Sequence, residues 1–163
     1  MSAPVLLAPV SADIIASAFA VPRLRREVAF GTRQGDLALA PGAPVFIYAA
    51  QGHAKRHPLH RAGLVTWRGT LGRVVPAVSH GSRRGMHPDP AMRPPFAEAT
   101  EYKDAALFWH VLDLEPLDEP IAIARFRDAS GAKLFNGPAP LWIAPAWLKR
   151  EAAITAPRRR QAA

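Results

Sequence analysis

The chain of 163 residues has the length of one ordinary domain, enough to bury a core of its own. It contains no cysteine, which excludes a disulfide framework, a thiolate metal site and a cysteine nucleophile. Its formal net charge is +8. No apolar run reaches the roughly 18 residues of a membrane span, and the apolar first twenty residues lack the basic start of a secretory signal, so a cytoplasmic protein without a membrane partner is expected.

The charge is unevenly spread. Residues 1–93 carry twelve basic and four acidic side chains, residues 94–148 four and eight, and residues 149–163 five and one. A positive total alone serves solubility, but this asymmetry points to a polyanionic partner, most simply nucleic acid.

In chain order, "APVLLAPV" reads as a first strand. "SADIIASAFA" reads as a helix with Ser11 as N-cap and Asp13 in its first turn, stopped by Pro22. "RLRRE" then places Arg23 and Arg25 on one side of an extended chain and Leu24 on the other. "LAPGAPVFIYAA" is a turn at Pro41-Gly42 followed by a strand buried on both faces. "QGHAKRHPLHRA" is a polar loop, and two strands follow, near Gly63 to Arg68 and Leu71 to Val78. Ser79 to Asp104 has no periodicity and holds four prolines and two glycines, which predicts a long loop. "ALFWHVLDLEPL" alternates Leu107, Trp109 and Val111 against Phe108, His110 and Leu112. "IAIARFRD" is a further strand and "PLWIAP" a last short one, after which Pro145 is placed to start a helix, "PAWLKREAA". "TAPRRRQAA" is a basic tail expected to be disordered.

Six or seven short strands with one early and one late helix favour a small mixed barrel over a βαβ fold, because helices do not alternate with strands. No phosphate loop, dinucleotide fingerprint or serine elbow is present. His53, His57 and His60 have helix-like spacing, but Gly52 and Pro58 interrupt it and no acidic residue lies between His53 and His87, so neither a metal site nor a cofactor is expected. Among the aromatic residues, Tyr48, Trp67, Phe108 and Trp109 all fall on predicted strands, where core packing is the ordinary role. Trp67 differs in having Arg68 and Arg73 close by and Gly69 behind it. An indole to stack an unpaired base, with cations to hold a phosphate, is how single-stranded nucleic acid is captured.

Taken in order, these segments resemble the PUA-like superfamily, in particular its EVE and ASCH branches, over about residues 5 to 148. "VLLAPVSADIIASAFAVPRLRRE" resembles the opening strand, helix and basic strand of ASCH domains, and "LAPGAPVFIYAA" their second barrel strand. "RAGLVTWRGTLGRVV", "LFWHVLDLEPLDEPIAI" and "PLWIAPAWL" resemble the later strands and closing helix of EVE-type proteins. The resemblance implies an α+β, PUA-like mixed β-barrel of about six strands with flanking helices, in one domain over residues 1–148 followed by the tail, 149–163. It also implies a cleft for RNA or for a modified base in DNA or RNA. Arg23, Arg25, Arg26, Tyr48, Trp67, Arg68, Trp109 and His110 are the expected binding residues, with Tyr48 and Trp67 facing a shared cleft and Gly69 leaving room for the nucleotide. The ASCH pattern G-x-K-x-x-E-x-R falls on Ala18, Ala20, Arg23 and Arg25, so its lysine and carboxylate are lost and only the last arginine is kept. Arginine cannot exchange protons near neutral pH, which turns a catalytic-looking site into an anion-binding one.

Three functions follow: a nucleic-acid-binding module; an ASCH-type ribonuclease or amidohydrolase in which His53 or His110 replaces the missing groups; and a module whose basic tail docks on an acidic protein.

Overall fold

A computed structural model describes residues 3–49, 63–100, 104–134 and 143–148. The polar loop with His53, His57 and His60, and the C-terminal tail, lie outside the described residues.

The first strand, β1 (Val5–Pro9), leads into helix α1 (Ala12–Phe19). Ile14, Ile15 and Ala18 are buried on α1, as the spacing predicts, but Ser11 makes no side-chain cap bond. Pro22 both ends that helical run and opens a second helix, α2 (Pro22–Arg26). The basic stretch expected to be extended is thus helical: proline's fixed φ suits a first helical turn, where its missing N–H is not needed. Strands β2 (Glu27–Thr32) and β3 (Pro44–Tyr48) follow.

Gly63 to Val78 is not two strands. One strand, β4 (Leu64–Pro76), runs through nearly all of it. The aperiodic stretch after it holds a hairpin of β5 (Val78–His80) and β6 (Arg83–Met86), a 3-10 turn at Pro90–Met92 and a short helix, α3 (Pro95–Thr100). "LFWHVLDLEPLDEPIA" is likewise one strand, β7 (Leu107–Ala122). A two-residue β8 (Phe126–Arg127) and β9 (Ala144–Leu148) complete the order. The helix expected from Pro145 is replaced by β9, where Pro145 stands opposite Leu6 and the buried Ala146 opposite Val5. The apolar β1 needs a partner on its open side, and that pairing overrides the helix-start signal of the proline.

Seven strands form one mixed sheet in the order β2-β7-β4-β3-β1-β9-β8, with β1 and β3 parallel and the other neighbours antiparallel. The sheet is not closed into a barrel, which corrects the expected PUA-like α+β barrel of about six strands. Among the described residues no pairing joins its end strands: β2 pairs with β7, and the two residues of β8 pair with β9.

Helices α1 and α2 bury Ile15, Ala18 and Leu24 against one face, in a core with Leu6, Ile47, Trp67, Trp109 and Val111. The opposite face is divided. Around β1 and β9 it is apolar, with Val5, Leu7, Tyr48, Val65 and Phe126 packed together. Around β2 and β7 it carries Phe108 and the buried polar residues His87, Arg93 and His110.

The ladder between β4 and β7 slips at three places: Val65/Trp67, Arg68/Thr70 and Leu71/Val74. At the second, Gly69 lies against the Val111 side chain, and a Cβ there would come 2.9 Å from the Leu112 carbonyl oxygen. We expect Gly69→Ala to cost about 1–3 kcal/mol by overpacking. Gly35→Ala, whose added methyl meets nothing within 4 Å, should be near neutral in the same urea-unfolding assay.

Candidate functional site

The aromatic residues expected to line a cleft are core residues. Tyr48 is fully buried, Trp67 is 5% exposed and Trp109 is 1% exposed. Tyr48 and Trp67 do not share a cleft. In the β3–β4 ladder Trp67 stands opposite Ile47, so it shares Ile47's face, and Tyr48, the next residue on β3, points to the other. The two therefore belong to separate apolar clusters, and burial pushes the Tyr48 phenol up in pKa. The position expected for a stacked base is filled by the chain itself: Phe19 meets Trp67 edge-on, ring centroids 5.0 Å apart. Arg25 then covers Phe19, its guanidinium 4.3 Å from the ring centre and its Nε donating to the Phe19 carbonyl at 2.6 Å.

Gly69 makes room for Val111 and the β7 backbone rather than for a nucleotide. A surface cavity of about 330 Å³ does lie beside it, lined by Phe46, Arg68, Thr70, Asp113 and Glu115, but neither Tyr48 nor Trp67 reaches it. Arg68 is tied across the strands to Glu115 at 2.6 Å, with both side chains half exposed. Such a pair contributes little to stability.

One group of the expected residues does come together. Arg23, Arg25 and Arg26 are exposed on α2. Arg23 donates to the Ala91 carbonyl, Arg25 is held as described, and none of the three has a carboxylate partner among the described residues. Directly after them, Glu27 at the start of β2 reaches His110 on β7.

His110 is fully buried and forms the middle of a hydrogen-bonded chain that composition and periodicity did not reveal. Its Nδ1 lies 2.8 Å from Glu27 Oε2, and its Nε2 lies 2.9 Å from His87 Nε2. The other nitrogen of His87, Nδ1, accepts from the Asp89 backbone N–H at 2.8 Å. That amide can only donate, so His87 Nδ1 carries a lone pair and its proton sits on Nε2. His110 Nε2 must then accept, and His110 Nδ1 donates to Glu27. Only one set of tautomers satisfies every link, and both rings are neutral in it. Arg73 completes the carboxylate's partners, with Nε 3.3 Å from Glu27 Oε2.

Local structure explains the placement. Ala29 stands opposite His110 in the β2–β7 ladder, so Glu27, two residues away, shares its face as a diagonal neighbour. His87 leaves β6 and packs edge-on against Phe108 at 5.1 Å. Arg93 closes the cluster, donating to the Ala29 carbonyl at 2.7 Å and lying 4.8 Å above the Phe108 ring.

Burial lowers the pKa of both histidines. For His87 the neighbouring His110 and Arg93 lower it further, against the backbone bond at Asp89. For His110 the bond to Glu27 opposes the shift and Arg73 adds to it. Chemically, the arrangement holds protons in a fixed order but turns no ring nitrogen toward solvent. A general base needs a lone pair within reach of its substrate, and here the lone pairs are taken. Among the described residues, no group of three His, Asp or Glu side chains is placed to hold a metal ion.

Glu27, His87 and Arg93 were missed from the sequence. The pairing of β2 with β7 is non-local, and His87 lies in a stretch without periodicity; the local "HPDP", a turn signal after a histidine, was the one clue.

Comparison with protein families, with curated proteins and with solved structures finds no match to this chain.

Two outcomes are expected. Trp67→Ala should lower stability by about 3–5 kcal/mol, as removal of a core ring does, read as a large loss of melting temperature. The second concerns pH. Each buried histidine titrates below the 6.5 of an unfolded one. The unfolded chain therefore binds more protons below about pH 6.5, and stability falls as pH drops, by about 1.4 kcal/mol per pH unit for each histidine until the folded ring also titrates. Urea unfolding between pH 7.5 and 5 measures the slope, and His87→Gln with His110→Gln should flatten it.

Proposed function

We propose that the protein is a nucleic-acid-binding module that holds the phosphate backbone on the exposed arginines of α2. The observation that carries this reading is the clustering of Arg23, Arg25 and Arg26, exposed on one short helix and without carboxylate partners among the described residues. Exposed cations kept apart from acidic residues retain their full attraction for a polyanion, and the net charge of +8 acts in the same direction.

Recognition here is by phosphate contact rather than by aromatic stacking, because Tyr48, Trp67 and Trp109 are enclosed. Contacts of that kind fix position on a strand and carry no base sequence. The closed hydrogen-bonding of His87 and His110 argues against the hydrolase reading, since neither ring can take a proton from a substrate without breaking a bond inside the protein.

The test is a titration of fluorescein-labelled oligouridylate, followed by anisotropy between 50 and 200 mM salt. The native chain should bind with a steep salt dependence. Replacing Arg23, Arg25 and Arg26 together by alanine should reduce that slope by about 2, at roughly 0.7 per single-strand phosphate contact, while the melting temperature stays within a few degrees. Binding that is absent, or that keeps its salt slope in the triple variant, rejects the reading.

A further inference from the structure

We propose that the Glu27–His110–His87 chain is an acid-operated latch on residues 87–93, holding that segment against the sheet at neutral pH and releasing it when the histidine pair takes up a proton. The latch is independent of nucleic-acid binding and rests on the geometry of the chain itself.

Every nitrogen in the chain has an assigned role, so an added proton has no vacant place. If it enters at His110 Nε2, that nitrogen becomes a donor and faces the N–H of His87 Nε2 at 2.9 Å; two donors cannot share a bond. If it enters at His87 Nδ1, the ring presents an N–H to the amide of Asp89, and that bond is lost instead. If the proton shifts along the chain so that His110 donates to His87, the excess again emerges at His87 Nδ1. In each case the broken bond is one of the two made by His87. The opposite end gains strength: a cationic His110 faces the Glu27 carboxylate at 2.8 Å. Of these links only the one between the two rings joins the segment to the sheet, since the Asp89 N–H lies within residues 87–93; a proton at His110 Nε2 parts it, with His110 remaining on the sheet and His87 leaving with its segment.

The charged groups around the pair act consistently with this. From β2, Glu27 stabilises a proton on His110. From β4, Arg73 opposes it. Within the segment, Arg93 repels a charged His87, while the Asp89 carboxylate attracts one. A second proton would place two imidazolium rings with centroids 5.0 Å apart, beside Arg93, and drive the segment off.

Besides the chain, His87 and Arg93 pack on the Phe108 ring, and polar contacts hold the rest. Arg93 donates to Ala29, Arg23 of α2 to Ala91, and a 3-10 turn is capped by Asp89 on the Ala91 N–H. Neither apolar cluster includes a residue from 87–93. Opening therefore costs far less than global unfolding. It would uncover Phe108 and free the exposed Arg23 guanidinium from the Ala91 carbonyl.

Hydrogen exchange read by mass spectrometry, corrected for the pH dependence of intrinsic exchange, tests the proposal on the full chain. From pH 7.5 to 5, the amides of Asp89, Ala91, Met92 and Arg93 should lose protection about tenfold per pH unit once the pair titrates, while those of β1 and β3 stay protected. At neutral pH, long-range 15N–1H spectra should show His87 protonated at Nε2 and His110 at Nδ1. In Glu27→Gln, which keeps an acceptor but removes the negative charge, the transition should move to lower pH. Protection that persists in residues 89–93 to pH 5, a loss that occurs together with β1 and β3, the opposite tautomers, or an unmoved transition in Glu27→Gln would each overturn it.

Discussion

The arrangement depends on how β4 is paired with β7. These are the two longest strands, and they run side by side at the centre of the sheet's larger half. Strict alternation through β4 from Leu71 would send Arg73 into the apolar layer under the helices and Val74 away from it. The slip between Leu71 and Val74 sets Gly72 and Arg73 together against the one residue His110. Val74 is thereby returned to the apolar layer and Arg73 is turned out toward Glu27. Gly72 fits because a larger residue would press on Leu112, 3.2 Å from its Cβ position, and on His110. One extra residue thus removes a cation from the core and delivers it to the carboxylate that orients the histidine.

The polar end of the second face is tolerable only because it is neutral inside and charged at its rim. Isolated charges buried beside Phe108 would cost several kcal/mol. The inner rings are instead uncharged, and the carboxylate that anchors them is about one third exposed, beside a more exposed Arg73. Arg93 is the exception, a buried guanidinium that lies against an aromatic face and an edge-strand carbonyl. Every ring nitrogen of the two histidines is bonded, so losing one member of the chain leaves its partner unpaired at about 1–3 kcal/mol.

Local signals in the sequence were good guides where the structure is local. Val5 to Pro9, the buried side of the first helix and the alternation of Trp109 against His110 follow from spacing alone. Pro22 is expected to stop a helix and Pro145 to start one, yet Pro22 also opens α2 and Pro145 lies in β9. One opens a helix because nothing competes there, and the other lies in a strand because β1 requires an antiparallel neighbour. The candidate site was legible only in its charged part: Arg23, Arg25 and Arg26 are exposed and adjacent, as arginines in a basic run tend to be. The expected role of Trp67 failed because the residue that meets its ring, Phe19, comes from a distant helix that no pattern within β4 announces. Glu27 and His87 escaped notice because each gains its meaning from a partner at least 23 residues away.

The slips between β4 and β7 also divide the sheet into stretches whose alignment is set separately. Between Val65 and Trp67 one strand advances two positions while the other covers Pro116 to Ile121, so that Leu117, Asp118, Glu119 and Pro120 have no counterparts in the ladder. Three of these four are exposed. The chain could therefore gain or lose residues there, in evolution or by engineering, without shifting the frame of Trp67 or His110, whose positions are fixed by contacts on the near side of the gap. Within Leu107 to Leu112, which pairs with β2 without a slip, the same change would carry the histidine to the wrong face. Two neighbouring parts of one strand are thus under opposite constraints on length.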